Sequence, residues 1–248
     1  MLSALKKENE AEAIEHEHVV PTTKITDEAI PDYMKDVYEW AYVSDKNADL
    51  LDNPLTVSIL LFLQDKRLLK KFLSEIEPGC KMMMMAHVYG PMVERIANHV
   101  GKNGIFHLVD VTPVQVRHAL KKLRDMKWAQ VWQEDAATAG LGDYDIMGSF
   151  FLLHEVPDDK KTEIIDNMLN HTRMGGKSVY IDYANPKKWQ PIRYILAYIN
   201  KHLEPFAPAL WKNSIQSFAT AELAKNFEWS VEPIFGGVYQ KVVAKRVK

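Results

Sequence analysis

The sequence predicts an α/β fold with a mostly parallel, seven-stranded sheet, an N-terminal helical cap and an antiparallel C-terminal hairpin. Apolar strand-like runs and helical patterns alternate from about residue 81 to residue 182, which is typical of a parallel sheet covered by helices on both faces. Helical patterns alone precede Gly79. Two apolar runs near the end flank Gly236-Gly237, which predicts a two-residue glycine hairpin and therefore an antiparallel last strand.

Three regions follow from this pattern. Residues 1–24 are charged, with several glutamates, and are expected to be a flexible N-terminal segment. Residues 25–78 are expected to form the helical cap, with one helix starting near Pro31 and a long amphipathic helix over 53–76, where Leu55, Ile59, Phe62 and Leu63 recur at helical spacing. Residues 79–248 form the α/β domain, with a helical lid at about 186–225.

Within the α/β domain each element has a simple sequence signal. Apolar runs predict strands, amphipathic runs that often begin near proline predict helices, and Gly175-Gly176 is expected to stop a helix before the fifth strand. The predicted strands are 81–87, 104–110, 129–133, 144–151, 177–182, 229–235 and 238–244, and the predicted helices are 91–100, 113–126, 158–172 and parts of 186–211.

Composition limits the classes of function. The formal net charge of -2 gives no bulk reason to expect nucleic acid as a partner. Cys80 is the single cysteine, so no internal disulfide can form and a reducing, cytoplasmic location fits. No apolar run approaches the roughly 20 residues that span a bilayer. The run from Tyr194 to Ile199, with Trp189 and Trp211 nearby, is compatible either with a helix lying in a membrane surface or with a lid over a site.

The stretch GCKMMMMAHVYG, from Gly79 to Gly90, is the most informative in the chain. It predicts a strand that runs into a tight turn, and the next two strands end in acids at Asp110 and Asp135. Strand, turn, helix, strand and acid is the order by which open α/β sheets hold a nucleoside, with the acid on the ribose hydroxyls. The sequence therefore predicts a nucleoside site at the carboxyl ends of the first three strands.

Four segments carry a resemblance to the class I S-adenosylmethionine-dependent methyltransferases: HLVDVTPVQVRHALKKL, EDAATAGLGDYDIM, YDIMGSFFLLHEVPDDKK and MGGKSVYIDYANP. The resemblance implies that Asp110 binds the ribose hydroxyls and that Asp135 and Ala136 lie beside the adenine. It implies a cofactor site made of Ala86, Tyr89, Gly90, Asp110, Val111, Asp135, Ala136 and Phe150. The first motif departs from the family, because Met84 stands at the usual acid and Ala86 and Val88 replace glycines.

A narrower resemblance covers about residue 31 to the end of the chain. The segments AHVYG, PDYMKDVYEWAY, FFLLHEVP, GGKSVYIDYANPKKW, LEPFAPALW and FGGVYQKVVAKR are similar to those of the rhodoquinone biosynthesis proteins. That family implies amination of ubiquinone to rhodoquinone, with S-adenosylmethionine as amino donor and manganese assisting. A polyprenyl quinone substrate further implies a peripheral position at the inner face of a membrane. Met84 gives the amination a rationale, since a carboxylate there would hold the donor's ammonium protonated.

Candidate catalytic residues follow the fourth and fifth strands, where ligands collect in open sheets. They are His154, Glu155, Asp182 and Tyr183, which can supply a base and a hydrogen-bond donor for a quinone oxygen. Tyr38, Trp40 and Tyr42 can stack on the ring or can simply pack the N-terminal helix. No ligand spacing identifies a metal site. Conventional methyl transfer to a quinone or small aromatic, and a non-catalytic binding protein, remain as alternatives.

Overall fold

The computed structural model describes residues 25–26, 30–38 and 51–248, and for 36–38 the backbone only. The expectations for residues 1–24 fall entirely outside this part of the chain. Trp40 and Tyr42 also lie outside it, and the side chain of Tyr38 is not described.

The sheet has the predicted number of strands and the predicted directions. The strands are β1 (Lys81–Met85), β2 (Ile105–Asp110), β3 (Ala129–Gln133), β4 (Tyr144–Phe150), β5 (Thr172–Tyr183), β6 (Phe227–Ile234) and β7 (Tyr239–Arg246). Their order is β3-β2-β1-β4-β5-β7-β6. β1 pairs in parallel with both β2 and β4, and β7 runs antiparallel to β5 and β6. The strands before β4 are therefore added on one side of β1 and the later strands on the other, so the strand order reverses between β1 and β4. Open α/β sheets form their ligand crevice at such a point.

Helices cover both faces of the sheet. They are α1 (Asp32–Tyr38), α2 (Pro54–Leu60), α3 (Asp65–Leu73), α4 (Met92–Val100), α5 (Pro113–Leu123), α6 (Asp158–Asn170), α7 (Ile192–His202), α8 (Pro208–Lys212) and α9 (Ala221–Ala224). Successive strand residues point to opposite faces. Met82 and Met84 accordingly lie in the core on the α3–α5 side, whereas Met83 and Met85 lie on the α6 side, and all four are fully buried. The methionine run is a buried strand, as its simplest interpretation predicts.

The single helix predicted over 53–76 is wrong, because the chain forms α2 and α3 with a break between them. Phe62 and Leu63 have φ values of 50° and 60°, a left-handed conformation that a continuous helix cannot contain. The Ser58 hydroxyl donates to Asp65 Oδ1 across the break at 2.8 Å. Leu55 and Leu63 are 68% and 71% exposed, so the predicted apolar face is not the buried one. Burial falls instead mainly on Val57, Leu68 and Phe72.

Gly175-Gly176 was predicted to end a helix, and that prediction is wrong. Both glycines lie inside β5. Helix α6 already stops at Asn170. Tyr144 pairs with Thr172, whereas Ile146 pairs with Lys177, so the glycines occupy a bulge. Gly175 has a φ of +76°, and a Cβ on Gly176 would come within 2.8 Å of the Asp145 carbonyl oxygen. The bulge therefore requires both glycines.

The C-terminal hairpin is antiparallel as predicted, but its connection is longer than two glycines. β6 ends at Ile234 and β7 begins at Tyr239, with a 3-10 turn over Phe235–Gly237 between them. Phe235 and both glycines have positive φ values. The segment 186–211 is helical only over α7 and α8, because its prolines divide it. No helix in the described residues combines the length and apolarity needed to cross a bilayer.

Candidate functional site

A cavity of about 280 Å³ opens at the carboxyl ends of the parallel strands. Its wall comes from the last residues of the parallel strands and from the residues that directly follow β1 to β4, and side chains of α1, α2 and α7 complete it. This is the position expected for a ligand in an open α/β sheet. Its size is close to the lower end of the range for small-molecule sites.

Asp110 ends β2 and lies on the cavity wall, 8% exposed. Its Oδ1 accepts hydrogen bonds from the backbone N–H and the hydroxyl of Thr112, at 2.8 and 2.7 Å. Its Oδ2 accepts one from the His87 N–H at 2.9 Å. Burial raises the pKa of Asp110, against the lowering effect of these bonds. Since each carboxylate oxygen can accept about two hydrogen bonds, Oδ2 retains a position for a ligand hydroxyl.

In the turn after β1, an alanine adopts a backbone conformation that glycine usually adopts. Ala86 has a φ of +133°, a conformation that is strained for any residue with a Cβ. The same turn brings the His87 N–H to Asp110, so the first turn and the acid form one unit. Met84 is fully buried in the core and does not line the cavity. The first motif therefore contributes backbone and Ala86 to the wall but no acid at position 84.

Gly90 does not line the cavity, and it is held by Asp52 and Lys122, which do not line it either. Asp52 Oδ1 accepts the Gly90 N–H at 2.7 Å and a hydrogen bond from Lys122 Nζ at 2.5 Å. Lys122 Nζ also donates to the Gly90 carbonyl oxygen at 2.8 Å and lies 3.1 Å from His87 Nε2. Burial lowers the pKa of Lys122, and burial together with the Lys122 charge holds the pKa of His87 well below its usual value. His87 is therefore neutral, and its Nε2 accepts a hydrogen bond from the Lys122 ammonium group.

His154, which lines the cavity, forms a buried pair with Asp182. His154 lies in a 3-10 turn after β4, and its Nδ1 is 2.9 Å from Asp182 Oδ1. Asp182 is wholly buried and also accepts the backbone N–H groups of Leu153 and Tyr183, at 2.9 and 2.7 Å. Three donors therefore fix this carboxylate, and the carboxylate fixes the imidazole. Glu155 Oε1 lies 3.8 Å from His154 Nε2.

This pair sets the protonation state of the site. Burial alone would lower the pKa of His154, but the charge and hydrogen bond of Asp182 outweigh it and raise the pKa to about 9. The imidazole is therefore protonated at neutral pH. A protonated imidazole can donate to a substrate oxygen, and above its pKa it can remove a proton. Tyr183 packs on it with ring centroids 4.8 Å apart, and burial raises the pKa of Tyr183 well above its usual value.

The structure brings together most of the predicted site residues. The cavity wall contains Ala86, Tyr89, Asp110, Val111, Asp135, Ala136, Phe150, His154, Glu155 and Tyr183. Asp182 stands behind the wall as the partner of His154, and Gly90 stands outside it. Asp135 accepts the Ala137 N–H at 2.8 Å, so it also shapes its own loop. The stacking predictions for Tyr38, Trp40 and Tyr42 fall outside the described side chains.

Sequence reasoning missed several residues of the wall. Tyr33 of α1 lies on the cavity and meets the Phe206 ring edge-on at 6.2 Å. Gln115 of α5 donates to the Tyr89 hydroxyl at 2.6 Å. Leu196 and Ile199 of α7, with Leu203 directly after it, form an apolar part of the wall. The aromatic cluster near Pro31 contained the signal for Tyr33, whereas Gln115 carries no signal beyond its place in the second motif.

The described residues do not fit a manganese site. Among them no group of three or more His, Cys, Asp and Glu side chains is arranged to hold a metal ion. Of the two carboxylates nearest His154, Asp182 is already engaged by three hydrogen-bond partners. Manganese prefers oxygen-rich ligand sets, and Glu155 alone does not supply one. The manganese expectation therefore finds no support in this site.

Comparisons with known proteins agree on the fold. No family model matches the chain, and no curated protein does. Among solved structures, the N-methyltransferase NodS from Bradyrhizobium japonicum, in complex with S-adenosyl-L-homocysteine, matches with a TM-score of 0.58 and 14% identity over 88% of this chain and all of that one. An O-methyltransferase family protein from Burkholderia thailandensis matches with a TM-score of 0.62 and 12% identity, over 88% of this chain and 66% of that one.

Human N-acetylserotonin methyltransferase, in complex with S-adenosylmethionine, gives a third match. Its TM-score is 0.56 at 13% identity, over 89% of this chain and 64% of that one. The chain thus spans about two-thirds of the length of the last two proteins. At such low identity these likenesses show the fold alone, which is the class I methyltransferase fold.

Proposed function

We propose that this protein is an S-adenosylmethionine-dependent transferase that acts on the ring of a lipophilic quinone. The observation that carries the proposal is one cavity lined by two sets of polar groups. Asp110 and the turn after β1 form the set suited to a nucleoside, and His154, held by Asp182, belongs to the other set. Apolar side chains of α7 line the same cavity. A convergent set of a few polar groups in an apolar cavity is typical of small-molecule sites.

The finer proposal is amination of ubiquinone to rhodoquinone. It rests on the sequence resemblance and on the residue type at position 84, since Met84 supplies no carboxylate there to clamp the donor's ammonium. In the proposed reaction Glu155 takes a proton from the ammonium. The amine then adds to the methoxy-bearing ring carbon, and the His154 imidazolium donates to the quinone oxygen that gains charge.

Two bonds must break after the amine has added to the ring. The ring carbon–oxygen bond breaks, and methoxide leaves as methanol after taking a proton. The bond between nitrogen and the donor Cα then breaks with loss of a Cβ proton, which leaves the amino group on the ring and an unsaturated carboxylate on the sulfonium. These steps need no external oxidant or reductant, and none is assigned to manganese.

Methyl transfer to a ring hydroxyl is the second candidate, and the named neighbours favour it over amination. Here His154 would remove the hydroxyl proton through Nε2, and the oxygen would attack the sulfonium methyl group. The two candidates need opposite protonation states of the same imidazole. Because its pKa is about 9, we expect amination to slow, and methyl transfer to accelerate, as the pH rises through that value.

The deciding experiment has two parts. Calorimetric titration with S-adenosylmethionine and S-adenosylhomocysteine tests the nucleoside-binding residues. Asp110→Ala should weaken binding about tenfold or more, and Asp125→Ala, at an exposed position, is the matched control.

The second part tests the reaction. The protein is incubated with S-adenosylmethionine and a short-chain ubiquinone or its quinol, with and without manganese, and the products are identified by mass spectrometry. Replacement of methoxy by amino supports amination, whereas a methylated ring with S-adenosylhomocysteine supports methyl transfer. Absence of binding by the wild type would leave a non-catalytic binding protein.

A further inference from the structure

Helix α7 has an unusual outer face. Leu196 and Asn200 are buried on its inner side, as in any amphipathic helix. The opposite side, which would ordinarily be polar, carries Tyr194, Ile195 and Tyr198, which are 72%, 51% and 68% exposed. Trp189, just before the helix, is 69% exposed. Tyrosine and tryptophan exposed together on a helix are typical of segments at a membrane surface, where one end of the ring is apolar and the other is wet.

The charge of this segment is of one sign. Residues 186–203 contain Lys187, Lys188, Arg193 and Lys201 and no aspartate or glutamate. Within the described residues none of these four cations forms an ion pair; Arg193 instead donates to Asn185 Oδ1 at 2.6 Å and lies over the Trp211 ring. The net charge of the whole chain is -2, so this concentration is local. Unpaired cations flanking exposed aromatics match an anionic lipid surface.

The same helix borders the cavity. Leu196 and Ile199 of α7 contribute to its wall, and so does Leu203 directly after the helix. On α2, Leu60 also lines the cavity, although it is 53% exposed, and Ile59 beside it is 60% exposed. Both α7 and α2 therefore carry exposed apolar side chains and also contribute to the cavity wall.

We propose that the outer face of α7, together with Trp189, docks on an anionic lipid bilayer, and that the substrate enters the cavity from the acyl layer beside this helix. Docking stands on the exposed aromatics and the unpaired cations. Only the entry of a quinone rests on the proposed function.

Vesicle flotation tests the docking directly, with the full chain and no cofactor. We expect the protein to float with vesicles of phosphatidylcholine mixed with phosphatidylglycerol, and much less with phosphatidylcholine alone or in high salt. Replacing Trp189, Tyr194 and Tyr198 by serine should weaken binding at least tenfold. Lys187→Glu with Lys188→Glu should do the same and abolish the preference for anionic lipid. Met174→Ser is the matched control, since Met174 is 60% exposed in the bulge of β5, at the opposite end of the strands.

The outcomes separate the proposals. Equal flotation of wild type and the aromatic variant, or no flotation of folded wild type, overturns the docking. Self-association that the aromatic variant abolishes, without vesicle binding, assigns the surface to a second copy and overturns it as well. If the protein turns over a short-chain quinone but does not bind vesicles, the docking proposal is wrong and the proposed function stands. If the protein floats with vesicles but does not bind S-adenosylmethionine, the docking proposal stands and the proposed function is wrong.

Discussion

His154 makes the stability of the folded protein depend on pH. Its pKa rises from 6.5 to about 9 on folding because Asp182 holds the imidazolium. A group with a raised folded-state pKa contributes its full stabilisation below its unfolded pKa and loses it as the pH rises through its folded pKa. We therefore expect the free energy of unfolding to fall by on the order of 3 kcal/mol between about pH 6.5 and pH 9.

Urea unfolding across this pH range, with His154→Gln beside the wild type, measures the effect. The variant cannot titrate at this position, so its stability should be lower at pH 6.5 and should fall less as the pH rises. His202→Gln, on the exposed side of α7, is the matched control and should follow the wild type. Parallel curves for His154→Gln and the wild type would show that the pair does not hold a proton in the folded state.

Ala86 is a second residue with a measurable consequence. Its φ of +133° belongs to the region that glycine adopts freely and other residues adopt at a cost of about 1–3 kcal/mol. We expect Ala86→Gly to stabilise the protein by about 1 kcal/mol, after the greater flexibility of unfolded glycine is subtracted. Thermal unfolding of this variant beside Ala97→Gly, a buried alanine in the interior of α4, gives the comparison. A loss of stability in both variants would mean that the turn is not strained.

Some individual residues of the site were predictable from the sequence. Asp110, Asp135 and His154 each follow a strand, so parallel topology alone predicted that they meet at one edge of the sheet. The hydrogen bond between His154 and Asp182 was not predictable, because it depends on how far the turn after β4 reaches toward β5. The left-handed backbone at Ala86 was equally hidden, since the residue type argues against it.

At the scale of elements, Asp52 connects the segment before α2 to α5 and to the first turn. It accepts from the Gly90 N–H and from Lys122 Nζ, and it lies 3.2 Å from His118 Nδ1. The carboxylate and the ammonium are only 16% and 12% exposed. Removing one partner leaves a poorly hydrated charge, whereas replacing both with neutral groups does not.

We therefore expect Asp52→Ala to lower the free energy of unfolding by about 3 kcal/mol, and Lys122→Met in the same chain to recover part of that loss. Guanidinium unfolding of both single variants and the double variant forms the cycle. The exposed pair Arg124 and Asp125 supplies the control, and its cycle should give less than about 1 kcal/mol. Additive losses at Asp52 and Lys122 would mean that the two residues act independently.

The elements that alternation identifies were predictable, and the breaks between them were not. Strand and helix periodicity placed β1 to β4 within a few residues because burial there follows from the sheet. The break at Phe62 and Leu63 carries no glycine or proline, so nothing in the residue types indicated it. Gly175-Gly176 led to the wrong prediction of a helix end, because a glycine pair suits a helix end and a β-bulge equally well. Only the pairing of β4 with β5 decides between the two.

At the scale of the molecule, segments distant in sequence close the cavity. Ile30 and Met34 in the α1 region are 5% and 8% exposed, and Tyr33 between them meets the Phe206 ring edge-on. The α1 region, α2 and α7 thus cover a site whose floor is the sheet. Sequence reasoning predicted a cap and a lid as separate regions, but their contact depends on chain folding over more than a hundred residues and left no local signal.

If this cover retains the ligand, binding should stabilise it more than the sheet. We expect S-adenosylhomocysteine to slow amide hydrogen exchange about tenfold in α1 and α7, because covers over sites open at low free energy and a bound ligand must be released before they open. Exchange in β7, whose amides are paired on both sides, should change little and is the internal control. Tyr33→Ala should abolish the slowing in α1 and weaken binding about tenfold, since it removes the contact with Phe206. Slowing confined to the turn after β1 would show instead that the ligand sits on the sheet edge without engaging the cover.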